Sequence, residues 1–276
     1  MAETDEARQQ LDIKSLAPFP DEVAAEFHQA ARAAAAPAPT AATAAPPAAR
    51  PGKERWPVKT GIDDDAERVG KSSGGGAQRG IVTTTVEELI QLPRPADMAD
   101  IRAYQEDYQD RRAEPVEFVI WQMKADIIAI KKEADGDLHI VLQGDSGETM
   151  IAEAPLPKAP FVTTRSPWLD AMKQVRAKIA DKLGVSFARA AMVPLDSKYV
   201  MPAAPIAIAP SDDGSPPAGD AGVDVFEQIQ PFKAKVEPTP VTIVGVGFFD
   251  RVHDQMGVAM KNGIELHPIL DITFEN

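Results

Sequence analysis

The chain has 276 residues, of which 44% are hydrophobic and 6% aromatic, with 25 prolines and a net charge of −13. Clusters of proline and alanine cannot bury a core, so we expect only part of the chain to be folded. The negative charge disfavours broad binding to phosphate backbones. The absence of cysteine excludes disulfides, zinc–thiolate sites and thiol nucleophiles.

The start of the chain bears on location. Residues 1–14 are acidic and polar, and they lack the basic start and apolar run of a secretory signal. No stretch approaches the roughly 20 apolar residues that a membrane-spanning helix needs. We therefore predict a cytoplasmic protein without membrane contact, with secretion by a route that uses no cleaved signal as the alternative.

Residues 1–52 are predicted to be a disordered arm that contains one helix, at 21–36. Apolar residues recur at helical spacing up to Pro37. The alanine- and proline-rich stretch 37–51 then has the composition of a linker. We expect the helix to be exposed to solvent, with docking to another protein as the alternative. This arm is the expected contact with a protein partner.

Residues 53–114 are predicted to be an extended segment with short helices packed on the folded domain. Trp56 is an isolated aromatic residue, and such a residue usually anchors its segment on a neighbouring surface. Thr85 and Glu88 have the spacing of a capping box, which predicts a short helix that ends before Pro93.

The remaining segment, 115–276, carries the pattern of a β-rich domain. β-Branched and aromatic residues predict strands at 117–132, 138–143 and 148–154. The stretches between these three strands are rich in aspartate and glycine, which are typical of tight turns. The three strands are therefore expected to form a meander.

A helix and two more strands complete this domain. Ser166 is the predicted N-cap of the helix, and Gly184 is its predicted end. A surface insertion at 188–239 separates the helix from strands at 241–250 and 263–274. Three strands, a helix and two strands are the chain order of the OB-fold, a five-stranded Greek-key barrel. The predicted class is therefore mainly β, an OB-like barrel with one helix between its third and fourth strands.

The predicted ligand site follows from this architecture. OB-folds bind ligands on the face of their second and third strands, beside the loops between strands 1 and 2 and between strands 4 and 5. The candidate ligand-binding residues on these elements are Asp137, His139, Glu153, Arg251, His253, Lys261 and Asn262.

Several of these elements combine histidine with carboxylates, a set that suits a metal ion or general acid–base catalysis. The candidate metal ligands are His139, His253, His267 and Glu265, and the candidate catalytic residues are Asp250, His253, Glu265 and His267. Their spacing matches no specific metal motif such as H-E-x-x-H. Histidines beside carboxylates at a barrel rim more often serve as hydrogen-bonding supports, so this structural role is the leading interpretation.

Six motifs occur in order along the chain: WPVKTG at 56–61, LPRP at 92–95, DxDxH at 135–139, TMIAE at 149–153, GVGFFD at 245–250 and ELHP at 265–268. The series resembles a group of uncharacterised bacterial proteins, over residues 55–187 and 240–274. That group has no assigned activity, so the resemblance supports the domain limits and implies no reaction. Its members tend to have H-G-Q-T-G where this chain has H-D-Q-M-G at 253–257, and many carry a cysteine after the third strand.

The strand and turn series is also distantly similar to OB-fold nucleases, but no residue here matches their calcium and phosphate ligands. The leading functional prediction is a non-enzymatic binding or assembly module without a cofactor. One alternative is a metal-dependent hydrolase, with zinc or calcium and a phosphodiester substrate. The other is nucleic-acid binding, with Trp121, Phe248 and Phe249 stacked on bases, although the net charge disfavours it.

Overall fold

The computed structural model describes residues 8–34, 55–71, 79–99, 107–133, 135–158, 162–190, 226, 232–252, 257–259 and 261–275. Within these residues the strands are β1 (Val82–Thr83), β2 (Ile120–Lys132), β3 (Leu138–Gln143), β4 (Thr149–Ala154), β5 (Phe232–Phe249) and β6 (Ile264–Phe274). The α-helices of the same part of the chain are α1 (Asp21–Ala33), α2 (Trp56–Thr60), α3 (Val86–Leu89) and α4 (Leu169–Ala190).

The strands form one mixed, six-stranded sheet in the order β1-β2-β3-β4-β6-β5, and β5 also pairs with β2. The pairs β1–β2 and β4–β6 are parallel, and the other pairs are antiparallel. The fold is therefore mainly β, as predicted. The predicted order of three strands, a helix and two strands is confirmed for β2–β6 and α4, whereas β1 is an additional strand that the sequence analysis missed.

The last strands depart from the predicted bounds. β5 begins at Phe232, inside the stretch that was expected to be a surface insertion. Its register against β2 shifts where residues 236–238 lie opposite Ile128. Pro238 falls in this irregularity, a position that tolerates a residue without a backbone N–H. The prolines that suggested a loop therefore do not interrupt the strand.

Helix α4 begins close to the predicted cap but continues past the predicted end. The Ser166 hydroxyl accepts a hydrogen bond from the Trp168 backbone N–H at 3.2 Å. The helix then runs through Gly184 to Ala190, because a glycine inside a helix costs only about 1 kcal/mol and does not by itself end it. No helix in the described parts of the chain is both long and apolar enough to cross a membrane.

Residues 8–34 pack on the sheet, in contrast to the disordered arm predicted there. Phe19 and Phe27 stack with ring centroids 5.3 Å apart, and both belong to the main apolar core. Ala31 is fully buried, and the Phe19 N–H donates to the Ile81 carbonyl oxygen at 2.8 Å. The predicted helix is present as α1, but its apolar face is covered by its own chain. The rest of the predicted arm lies mainly outside the described residues.

The strands around β4 have one apolar and one polar face. The apolar side chains of this region that belong to the main core are Leu138, Ile140, Leu142, Met150, Ala152, Ala154, Ile264 and Leu266. Successive side chains point to opposite faces of a strand, so the residues between them lie on the other face. These include His139 and Glu153, and on β6 they include Glu265 and His267. The sequence pattern thus gathers titratable groups on one face.

A buried histidine–carboxylate cluster as the candidate functional site

The register of three neighbouring strands brings the candidate residues together. His139 on β3 is directly opposite Glu153 on β4. β4 and β6 run parallel with Ala152 opposite Leu266, so the next residues along, Glu153 and His267, are also neighbours. Glu153 therefore lies between two histidines from different strands.

Glu153 is the centre of the contacts. His267 Nδ1 lies 2.9 Å from Glu153 Oε2 and 3.2 Å from Glu265 Oε1. His139 Nδ1 lies 3.3 Å from Glu153 Oε1. None of these four side chains is more than 8% exposed. We call Glu153, Glu265, His139 and His267, together with Asp137, Lys59 and Asp250, the central cluster.

Helix α2 supplies the lysine of the central cluster. Lys59 Nζ lies 3.9 Å from Glu153 Oε2 and 3.9 Å from Asp250 Oδ2. Its ammonium group is 5.2 Å from the centroid of the Phe248 ring. The helix ends at Gly61, whose φ of 70° lies in the left-handed region that favours glycine. The short WPVKTG segment is thus folded so that its one cation faces the carboxylates.

Asp137 completes the central cluster at the beginning of β3. One ligand atom from each of Asp137, Glu153 and His267 lies within 4.8 Å of the other two. The Asp137 carboxylate also accepts a hydrogen bond from the Leu156 backbone N–H at 2.9 Å. Asp137 is 3% exposed, so its charge is shielded from water by the protein.

Burial and nearby like charges together raise the pKa of two of the carboxyl groups. Burial raises the pKa of Asp137 to about 6, and the charges of Asp135 and Glu153 add to this effect. Burial likewise raises the pKa of Glu265 to about 7, reinforced by the charges of Glu153 and Asp250. Both groups therefore gain or lose protons near neutral pH.

The other two central groups are held in their charged forms. Burial alone would raise the pKa of Glu153, but Lys59, His267 and the hydrogen bonds from the histidines hold it well below its usual range. Burial alone would lower the pKa of His267, but the charge of Glu153 and hydrogen bonds to Glu153 and Glu265 raise it to about 9. At neutral pH the core of the cluster is an imidazolium–carboxylate pair.

The central cluster has more negative than positive groups. Its four carboxyl groups, on Asp137, Glu153, Asp250 and Glu265, face the cations of Lys59 and His267. Such a set can exchange protons or hold a cation. The described residues leave its side chains at most 15% exposed, which closes it to a bulky substrate such as a phosphodiester.

The loop between β5 and β6 contributes to covering this face. A Cβ atom at Gly257 would lie 2.5 Å from Val141 Cγ1 on β3, so the loop backbone packs directly on the strand. His253 lies in the same loop but outside the described residues. Arg251, at the start of the loop, is exposed to solvent.

Two other predicted ligand residues have different surroundings. The Asn262 side chain is 2% exposed, and its amide nitrogen donates to the carbonyl oxygens of Leu89 and Leu92 at 2.9 Å each. Its amide oxygen accepts from the Ile264 N–H at 3.0 Å. Asn262 therefore fastens the β5–β6 loop to α3 rather than facing a ligand. Lys261 is exposed and donates to the Gln91 side chain.

The aromatic residues expected to stack on bases are all inaccessible. Trp121 and Phe248 are fully buried, and Phe249 is 1% exposed. The Trp121 indole N–H donates to the Val116 carbonyl oxygen at 3.2 Å. These rings pack inside the protein, so they offer no stacking surface for nucleic acid.

A second buried charged network, missed from the sequence, lies next to the central cluster. Arg55 makes two hydrogen bonds to the Glu117 carboxylate, at 2.7 and 2.6 Å. Arg112 makes two to the Asp63 carboxylate, at 2.9 and 2.6 Å. All four side chains are fully buried. We call this set the arginine network.

An open groove lies at the edge of the β5–β6 loop, beside the turn between β3 and β4. It has a volume of about 360 Å³ and is lined by Ile90, Gln91, Gly147, Glu148, Thr149, Val258, Ala259 and Lys261. A neighbouring groove of about 320 Å³ also contains Gln91 and is lined by Arg32, Glu87, Glu88 and Leu92. The two grooves share Gln91 and lie on either side of it, and together we call them the α3 groove.

Comparison of the chain with protein-family models, with curated proteins and with solved structures finds no match. The function is therefore inferred from the geometry of the cluster and the groove.

Proposed function

We propose that the chain is a non-enzymatic binding module that takes a basic segment of a protein partner in the α3 groove. The observation that carries the proposal is the contrast in access between the two polar sites. The central cluster is at most 15% exposed, whereas the α3 groove is open to solvent along the β5–β6 loop. A partner can reach the groove without unfolding the protein.

The proposal includes an OB-like arrangement of β2–β6. It is supported by the pairing of β2 with β3, β3 with β4, β4 with β6, and β5 with both β6 and β2. The parallel β4–β6 pair and the helix between β4 and β5 also agree with that topology. In an OB-fold, ligands bind on the face of the strands that correspond to β3 and β4, beside the β2–β3 turn and the β5–β6 loop. Of these elements, the β5–β6 loop lines the groove, together with the turn between β3 and β4.

The charges at the groove favour a basic partner. Glu87, Glu88 and Glu148 line its two parts, against Arg32 and Lys261. Arg32 lies 3.7 Å from Glu88, and Glu87 accepts hydrogen bonds from Ser146, so Glu148 is the acidic group of the lining that these contacts leave for a partner. The whole chain has a net charge of −13, which attracts basic polypeptides and repels phosphate backbones. The burial of the candidate stacking residues supports the same choice, because sequence-tolerant binding of single strands depends on accessible aromatic rings.

The proposal is tested by site-specific photo-crosslinking in an extract of the native cells. A photo-reactive amino acid at Thr149, in the groove, is expected to form an adduct with a defined polypeptide. The same amino acid at Lys173, which is exposed on α4, serves as the control and should not form it. Glu148→Lys should abolish the adduct, whereas Asp170→Lys, which reverses an exposed charge on α4, should leave it intact.

Two results would overturn the proposal. One is an identical set of adducts from positions 149 and 173, or an adduct that Glu148→Lys does not weaken. The other is tight, salt-dependent binding of a fluorescent single-stranded oligothymidylate, measured by anisotropy. The second result would assign the module to nucleic acid, because such affinity falls steeply with salt when phosphate contacts dominate.

A further inference from the structure

We infer that the basic segment in the α3 groove binds as an extended strand, which pairs through its main chain with the edge of β4 at Thr149. This inference rests on the proposed function, because it concerns the same groove and the same partner segment. It specifies the conformation of that segment and the groups of the protein that recognise it.

The β3–β4 hairpin determines the direction of the Thr149 main-chain groups. The Gly144 N–H donates to the Glu148 carbonyl oxygen at 2.9 Å, so the main-chain groups of Glu148 point towards β3. The two strands then pair without a shift in register along the whole of β4. In an antiparallel pair the main-chain groups of successive residues point to opposite sides. The N–H and C=O of Thr149 therefore point away from β3, towards β6.

The strand β6 does not pair with these groups. Its parallel pairing with β4 covers only two residues of each strand, beginning at Ile151 opposite Glu265. If the regular pairing extended further back, the Asn262 carbonyl oxygen and the Ile264 N–H would be the groups that bond to Thr149.

Both of those groups have other partners. The Ile264 N–H donates to the Asn262 side-chain oxygen at 3.0 Å, and the Asn262 carbonyl oxygen accepts from Arg94 Nη1, also at 3.0 Å. Among the described residues, neither β3 nor β6 therefore supplies a main-chain hydrogen bond to Thr149. The N–H and C=O of this residue form a short free edge where the sheet opens.

The free edge faces the α3 groove. The groove is lined by Thr149 and Glu148 from the side of β4, and by Val258 and Ala259 from the loop that leads into β6. It therefore lies in the gap that the interrupted pairing leaves between the two strands. A free strand edge is a template for pairing with another chain, and addition of an extended peptide to such an edge is a recurring mode of recognition.

The lining of the groove also indicates which side chains the added strand carries. Ile90, Val258 and Ala259 are apolar, whereas Glu148 is acidic and exposed. Successive side chains of a strand point to opposite sides, so a segment in which basic and apolar residues alternate presents one kind to each side. A helix lacks the main-chain groups for this contact, because its own N–H and C=O groups are bonded within the helix.

The test uses two fluorescent peptides of equal charge, and their binding to the full chain is measured by anisotropy. Lys-Val-Lys-Val-Lys-Val can pair as a strand, whereas Lys-Pro-Lys-Pro-Lys-Pro lacks the main-chain N–H at every second residue. We expect the valine peptide to bind about tenfold more tightly or better, because the proline peptide loses main-chain hydrogen bonds to Thr149.

Substitution of Thr149 separates the main chain from the side chain. Thr149→Pro removes the N–H that faces the groove, and proline is tolerated at the first residue of a strand, the position that Thr149 has in β4. This variant should bind the valine peptide about tenfold more weakly. Thr149→Val is the matched control, because it removes only the hydroxyl group, and it should bind as the wild type does.

Equal binding of the two peptides by the wild type, or binding of neither, would overturn the inference. So would unchanged binding of the valine peptide by folded Thr149→Pro. If Thr149→Pro does not fold, as judged by circular dichroism, the comparison of the two peptides with the wild type decides alone. Crosslinking and its loss in Glu148→Lys test the proposed function separately, so a basic partner that binds without strand pairing would be recognised as such.

Discussion

The protein buries two charged networks next to each other, and they are built on different principles. In the arginine network, two guanidinium groups face two carboxylates, each through two hydrogen bonds. In the central cluster, four carboxyl groups share one lysine and one protonated histidine. The two networks meet at the end of β5, where Phe249 contacts the first and the next residue, Asp250, belongs to the second.

The arginine network is complete. Glu117 also accepts hydrogen bonds from the backbone N–H groups of Ala113 and Phe249, at 2.6 and 2.8 Å. The Arg55 guanidinium also donates to the carbonyl oxygens of Tyr108 and Phe249. Each of its carboxylates is matched by a guanidinium group through two hydrogen bonds, which is typical of a network that holds segments together. It joins the segment before α2 to β5 and to the residues that lead into β2.

In the central cluster, by contrast, the charges and hydrogen-bonding groups are not all matched. Burial and its like charges raise the pKa of Glu265 to about 7, so one carboxyl group is only partly ionised at neutral pH. A ring nitrogen of His267 has no hydrogen-bond partner in the described residues. The comparison indicates that the first network is matched in charge and hydrogen bonds, while the second contains carboxyl groups whose protonation changes near neutral pH.

The largest effect should follow from neutralising a carboxylate of the arginine network. Glu117→Gln leaves the Arg55 charge without compensation in a dry environment, and breaking a buried pair in this way costs about 3–5 kcal/mol. Urea denaturation followed by circular dichroism measures the loss. The double variant Arg55→Met, Glu117→Leu should recover part of it, because both charges are then gone. A loss below about 1 kcal/mol in Glu117→Gln would show that the network is not required for stability.

The stability that the central cluster contributes should instead depend on pH. In the folded protein the pKa of His267 is raised from 6.5 to about 9 and that of Glu265 from 4.5 to about 7. The stabilisation linked to a raised pKa is complete below the unfolded-state value and is lost as pH rises through the folded-state value. Between pH 6.5 and 9, the protein should therefore lose stability on the order of 3 kcal/mol.

The free energy of unfolding is measured by urea denaturation at several pH values in the presence of a chelator. Glu153 does not alter the sign in this window, because its lowered pKa affects stability only in acid. His267→Gln should flatten the dependence. Constant or rising stability between pH 6.5 and 9 in the wild type would contradict the charge assignment of the cluster.

Local sequence patterns predicted much of the fold. The strand 138–143 has the predicted bounds, and the helix after Ser166 begins close to its predicted cap, because alternation and capping act within a few residues. The start of β5 was predicted wrongly because Pro238 falls where the register shifts, and only the partner strand determines that. The packing of α1 depends likewise on a distant surface that Phe27 reaches.

The candidate site was predictable in part for the same reason. Residues two apart on a strand share a face, which placed Glu265 beside His267 from the sequence alone. The contact of His267 with Glu153 depends on a parallel pairing of distant strands. Lys59 comes from a separate segment, and its motif gave no sign of the carboxylates that it would meet. Local sequence pattern thus predicts on which face of a strand a residue lies, while the pairing of distant strands determines which side chains it contacts there.

The smallest expected change in stability is a gain, opposite in sign to the loss expected for Glu117→Gln. It therefore gives the sharpest comparison of the two networks. Glu265→Gln removes one of the surplus negative charges while keeping the shape of the side chain. Above pH 7 Glu265 is mainly ionised in the folded wild type, although burial and the charges of Glu153 and Asp250 disfavour this ionised form. The variant should therefore be more stable than the wild type at pH 8.5, by on the order of 1 kcal/mol.

At pH 5 the advantage of Glu265→Gln should shrink, because Glu265 in the folded wild type is then protonated and resembles glutamine. A destabilisation of about 3 kcal/mol at pH 8.5 would equal the cost expected for Glu117→Gln. The central cluster would then be a second complete network.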